Sequence, residues 1–169
     1  MKLIAVILLS LLLQACVKNY EMQASENTTK LIVDDIYLPS YKSYLLNTMD
    51  TVVSIQSGKP KCPYDGGFVK RNHLGDLRLT KSSSSKSINV NKDEPLYLSY
   101  TITETILNVT STCKASVRLD VKNGKEYKFS INSKECTAAI YESVVGQEKY
   151  VRSDSGQGGK FMDERLCIK

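Results

Sequence analysis

The sequence predicts an all-β domain made of two packed sheets, and three observations carry that prediction. Short runs rich in Val, Ile, Thr, Tyr and Leu recur at roughly 8–12-residue spacing between turn-forming clusters, as in a sandwich. No apolar period near 3.6 residues is sustained, and there is no internal repeat. The stretch Thr112–Tyr141 holds two successive runs of alternating apolar and polar residues, bracketed by cysteines.

From the start of the chain, Met1–Ala15 has one basic residue (Lys2), an apolar run from Leu3 to Leu13 and a small residue at Ala15. That is the pattern of a secretory signal, and it is shorter than the ~20 apolar residues needed to span a bilayer. The tetrapeptide Leu13-Gln14-Ala15-Cys16 resembles the bacterial lipobox. The resemblance implies cleavage before Cys16 and a diacylglycerol on its thiol. Val17 stands where lipoproteins retained at the inner membrane usually carry Asp, so the resemblance implies the outer membrane, on its periplasmic or cell-surface side. Val17–Lys30 is polar and aperiodic and reads as a flexible tether. The expected division is therefore a signal over 1–15, a lipidated cysteine and tether over 16–30, and a single domain over 31–169.

Within the domain, Leu31–Leu38 and Thr51–Gln56 are strand-like, with Tyr41–Asn47 between them readable as a strand or a helical turn. Gly58–Gly67 holds two prolines and three glycines and reads as a loop. Short strands are expected at Phe68–Lys70 and Asp76–Thr80, an exposed loop at Lys81–Ser87, and a strand start at Ile88–Asn91. Pro95–Leu107 is rich in Tyr, Thr, Ile and Leu, which predicts a long strand. Cys136–Val145 and Lys149–Arg152 continue the β pattern, and Ser153–Lys160 reads as a flexible loop.

The central stretch predicts a hairpin. Ala115, Val117, Leu119 and Val121 alternate with polar residues, as do Tyr127, Phe129 and Ile131 after the turn-forming Asn123-Gly124. Both apolar sets fall on odd numbers, so an odd loop, Lys122-Asn123-Gly124, is needed to set apolar faces together, with Leu119 opposite Tyr127 and Val117 opposite Phe129. Ser133-Lys134-Glu135 must then bulge or turn to bring Cys136 to Cys113. Once Cys16 is set aside, Cys62, Cys113, Cys136 and Cys167 form an even set, which in an exported chain implies two disulfides. Three connectivities are open, of which Cys113–Cys136 with Cys62–Cys167 is preferred. With no CxxC and a single histidine, metal ligation is not expected, nor is any cofactor.

The order of a strand ending in a charged turn at Asn91–Pro95, a long strand, Cys113, a strand, Asn-Gly, a Tyr-containing strand and Cys136 resembles a layout among small Gram-negative lipoproteins. Those are of uncharacterised function. The resemblance covers Ser87–Glu142 and implies an immunoglobulin- or transthyretin-like antiparallel β-sandwich stapled by disulfides.

No catalytic constellation is legible. His73 has no partner of the right type nearby to make it a metal ligand and reads as an exposed loop histidine, and His73, Asp120 and Ser155 follow one triad order without an apolar frame around the base. The glycines of Ser153–Gly159 precede no helix, so they are no phosphate loop. Charge is more informative. Without the signal the formal net charge of +5 falls to +4 through loss of Lys2. Lys59, Lys61, Lys70, Arg71, Arg78, Lys81 and Lys86 lie within Gly58–Lys86 against only Asp65 and Asp76. Such a surface suits an acidic protein face, a polyanionic glycan or anionic headgroups, and nucleic acid is not expected. The expected function is a lipid-anchored, non-enzymatic binding or scaffold module of the envelope, an accessory part of an envelope or secretion assembly. The alternatives are a protective inhibitor and a polyanionic-glycan binder.

Overall fold

The alternating runs fold as ten strands and one 3-10 turn (Leu38–Ser40), with no α-helix among residues 19–57, 72–153 and 156–159, the part described by the computed structural model. The strands are β1 (Thr28–Asp35), β2 (Asn47–Ser57), β3 (Asn72–Leu79), β4 (Ser85–Asn91), β5 (Leu96–Ile106), β6 (Val109–Leu119), β7 (Lys125–Asn132), β8 (Thr137–Val144), β9 (Val151–Arg152) and β10 (Gly156–Gly159). One sheet runs β10-β6-β5-β2-β3 and is antiparallel throughout. The other runs β4-β1-β7-β8-β9 and is antiparallel except that β1 lies parallel to β7, with Leu31 beside Tyr127 and Val33 beside Phe129.

Period-two alternation sends one side of each strand into the space between the sheets. Leu31, Val33, Val53, Ile55, Leu79, Leu96, Leu98, Leu119, Tyr127, Phe129 and Ile131 are fully buried there. Each such side chain contributes about 1.5–3 kcal/mol on leaving water. Tyr100 and Phe129 meet across the interface at 6.0 Å between ring centroids. This is the two-sheet sandwich that the strand spacing predicts.

The expected hairpin does not form. β6 pairs with β5 and β10, while β7 pairs with β1 and β8, so residues 120–124 carry the chain from one sheet to the other. Leu119 lies opposite Leu96, not Tyr127. The shared odd parity has another cause: both runs face one core from opposite sheets, which demands no common register. The crossing is held by the Lys122 N–H donating to the Tyr127 hydroxyl (2.8 Å) and by Gly124, whose φ of +72° suits glycine.

Cys113 and Cys136 are bonded, with Cα atoms 6.1 Å apart. Since Cys113 sits on β6 and Cys136 in the turn between β7 and β8, the bridge staples sheet to sheet and closes no hairpin. Nearby, the buried Asp35 carboxylate ties three segments. One oxygen accepts from the Thr51 hydroxyl on β2 (2.7 Å), the other from the Ser133 hydroxyl (3.0 Å) and from the Tyr37 and Ser133 N–H groups (3.1 and 3.3 Å).

Three further expectations are corrected. The tether expected to Lys30 is packed from Asn19 onward: Asn19 bridges to Asp76, Tyr20 is buried, and β1 begins at Thr28. The Lys81–Ser87 loop is only the tight Thr80–Ser83 turn before β4 starts at Ser85. The glycine run expected as a loop adds an edge strand, Gly156 opposite Leu119. The expected strand at Phe68–Lys70 and the Gly58–Gly67 loop lie outside the described residues.

Candidate functional site

The sandwich ends at the disulfide on one side, but its antiparallel sheet does not. Past Ile102 opposite Cys113, the β5–β6 ladder runs four more residues to Ile106 opposite Val109, about 13 Å further. β2 extends with it, Asn47 lying opposite Ile106. Among the described residues no strand of the second sheet covers this projection, and Val109–Thr112 are exposed.

The end of the projection is apolar. Tyr44, Leu45, Leu46, Ile106, Leu107 and Val109 are all exposed, Leu107 at 64% and Val109 at 71%. The Leu107 N–H donates to the Leu46 carbonyl (3.3 Å), which binds the loop before β2 to the β5–β6 turn and makes one tip of the two segments. At its base, burial and then the neighbouring Glu104 carboxylate push the Tyr41 phenol above its ordinary range. The turn itself breaks a local rule. Leu107 and Asn108 have φ of +46° and +71°, the two-residue geometry that favours Asn and Gly. A leucine in the left-handed region costs about 1–2 kcal/mol. A large apolar residue kept both strained and exposed marks a position chosen for something other than folding.

Of the seven basic residues, three lie among the described residues. Lys59, Lys61, Lys70 and Arg71 lie outside the described residues, as do Cys16, Cys62 and Cys167. Arg78 on β3 is paired with Asp50 on β2. Lys81 is exposed in the turn after β3. Lys86, opposite Val33, shares the inner-face parity of Ile88 and Val90 and is half-buried, the inward charge that discourages pairing at an edge strand.

His73 is on β3, not in a loop, and its Nε2 is 2.9 Å from Asp76 Oδ1, which also accepts from the Ser54 hydroxyl. The carboxylate stands between hydroxyl and imidazole, the wrong order for a base to activate a nucleophile. Asp120 is paired with Arg118 at 2.8 Å, and Ser155 lies outside the described residues. Among the described residues no three His, Cys, Asp or Glu side chains are grouped to hold a metal, and no helix is long and apolar enough to cross a membrane. An open groove of about 440 Å³ beside Tyr20–Gln23 and Ser87–Asn89 contains one carboxylate, Glu21, with no second acidic group to share proton transfer. Compared with protein-family models, with curated proteins and with solved structures, the chain matches none.

Proposed function

We propose that this chain is a lipid-anchored, non-enzymatic binding module of the bacterial outer membrane, and that it holds a protein partner through the apolar tip of β2, β5 and β6. The signal-like Met1–Ala15 and the lipobox-like Leu13–Cys16 support the anchor. The observation that carries the binding role is the strained, exposed Leu107 within a six-residue apolar tip projecting beyond the sandwich. Apolar side chains gathered at one solvent-facing end are a feature of interaction surfaces, whereas isolated ones are ordinary. An immunoglobulin- or transthyretin-like plan and a second disulfide, Cys62–Cys167, complete the proposal.

A crosslinking pull-down from intact envelope tests it, comparing wild type with Leu45→Asp and Leu107→Asn. Leu107→Asn relieves the turn, so the domain should gain about 1 kcal/mol while losing its partner. A partner recovered equally with wild type and both variants sinks the tip as the binding surface. Recovery of a polyanionic glycan in place of a protein, lost on Lys81→Glu, would move the role to the basic segment.

A further inference from the structure

The chain between the lipid and the folded domain is far shorter than its polar sequence suggests. Tyr20 is buried between the two sheets at their β3–β4 edge. Its N–H donates to the Asp76 carbonyl on β3 (3.2 Å), and its hydroxyl to the Asn89 carbonyl on β4 (2.7 Å). The Asn89 amide donates in turn to the Met22 carbonyl (3.3 Å). Gly75 leaves the room for this: a Cβ there would stand 2.5 Å from the Tyr20 Cα. The segment is thus a strap sealing one side of the sandwich. From Cys16 to Asn19 is three residue steps, at most about 11 Å of extended chain. A free 14-residue tether would have an average span of about 20 Å and no fixed direction.

Resting on the lipid-anchored reading, we propose that the domain lies edge-on against the bilayer that holds its lipid, with the strap and the β3–β4 edge facing the headgroup layer. Strands then run parallel to the membrane plane. Each sheet has five strands, so four spacings put the β9–β10 edge about 19 Å farther out. The tip, built on β2, β5 and β6, then projects sideways, close to the membrane. The partner it fits is a protein held at the same height: embedded in, or tethered to, the same membrane.

The test uses the full lipidated protein in phosphatidylethanolamine–phosphatidylglycerol vesicles, with a photo-crosslinking residue placed at Gln23, Ser87 or Glu148. Lipid adducts should form at Gln23 and Ser87 and stay near background at Glu148, which lies beside β9. A second variant inserts twelve Gly/Ser residues between Val17 and Lys18, adding about 20 Å of average span. It should still pellet with vesicles but lose the edge adducts several-fold. Equal adducts at all three positions, in protein whose Cys16 carries lipid by mass spectrometry, would overturn the edge-on arrangement and leave the anchor standing. A Cys16 without lipid would overturn both.

Discussion

Replacing Gly75 with Ala puts a methyl carbon 2.5 Å from the Tyr20 Cα and 2.6 Å from its nitrogen. Carbon contacts have their optimum near ~3.5–4.0 Å, so this is a clash of a full ångström. Both Tyr20 atoms are backbone, and no rotamer change relieves it. The strap must leave its seat. Losing it exposes one large side chain, about 1.5–3 kcal/mol, and exchanges the phenol's bond to Asn89 for water, about 1 kcal/mol more. The expected cost is therefore about 2.5–4 kcal/mol, read as a fall in the urea midpoint. A double-mutant cycle gives the prediction its edge. Tyr20→Ala leaves those backbone atoms in place but removes the ring and hydroxyl that seat the strap, so Gly75→Ala on that background displaces a strap already weakly held and should cost little, with a coupling nearly as large as the single effect. Costs that add within about 0.5 kcal/mol would refute the reasoning and put the effect of Gly75 in β3 alone.

The remaining predictions concern the same sandwich. Asp35→Ala should cost about 3–5 kcal/mol, because it leaves the Thr51, Tyr37 and Ser133 donors without their acceptor. Asp35→Asn should cost only about 1 kcal/mol, since its amide can donate to Thr51 while its oxygen keeps the other three; equal losses in the two melts would contradict the assignment. Removing the disulfide as Cys113→Ala with Cys136→Ala releases a loop of sequence separation 23. It should cost about 3 kcal/mol, a fall of about 10 °C by calorimetry. Burial pushes the Tyr20 phenol up from 10.0 to about 12. Its contribution is then fully present below pH 10 and lost as pH rises to about 12, where up to about 3 kcal/mol disappears. Urea midpoints below pH 10 and near pH 12 should fall less for Tyr20→Phe than for wild type, and parallel falls would exclude Tyr20 as the group responsible.

Strand positions were legible because period two is a local property, written within six or eight residues. Pairing was not. Val117, Leu119, Tyr127 and Phe129 have the same parity whether their strands form a hairpin or face each other across a core, and only the second is true. The strap was hidden for a related reason: Tyr20 is one aromatic residue in a polar stretch, and its seat is formed by residues far along the chain. Gly75, just before the strand expected at Asp76–Thr80, lies inside β3, where a glycine often marks another backbone passing close. At the tip, Asn108 was a turn signal, but the positive φ of Leu107 cannot be read from a leucine. Nearness in sequence does not fix which way basic residues face: Arg78, Lys81 and Lys86 fall on β3, a turn and β4. A strand sends neighbours to opposite faces, and Lys86 went inward.

The parallel pairing of β1 with β7 has a consequence for the order of assembly. Thr29 and Lys125, joined by a hydrogen bond, are 96 residues apart, and β7 supplies the whole of one flank of β1. A growing chain can complete β2–β3 and β5–β6 from near neighbours, but Leu31 and Val33 stay on an open, apolar strand edge until β7 at Lys125–Asn132 has been delivered. Closure of that sheet is therefore a late, high-contact-order event. Fragments ending before Lys125 keep the edge open, and they should aggregate where the full chain stays dispersed.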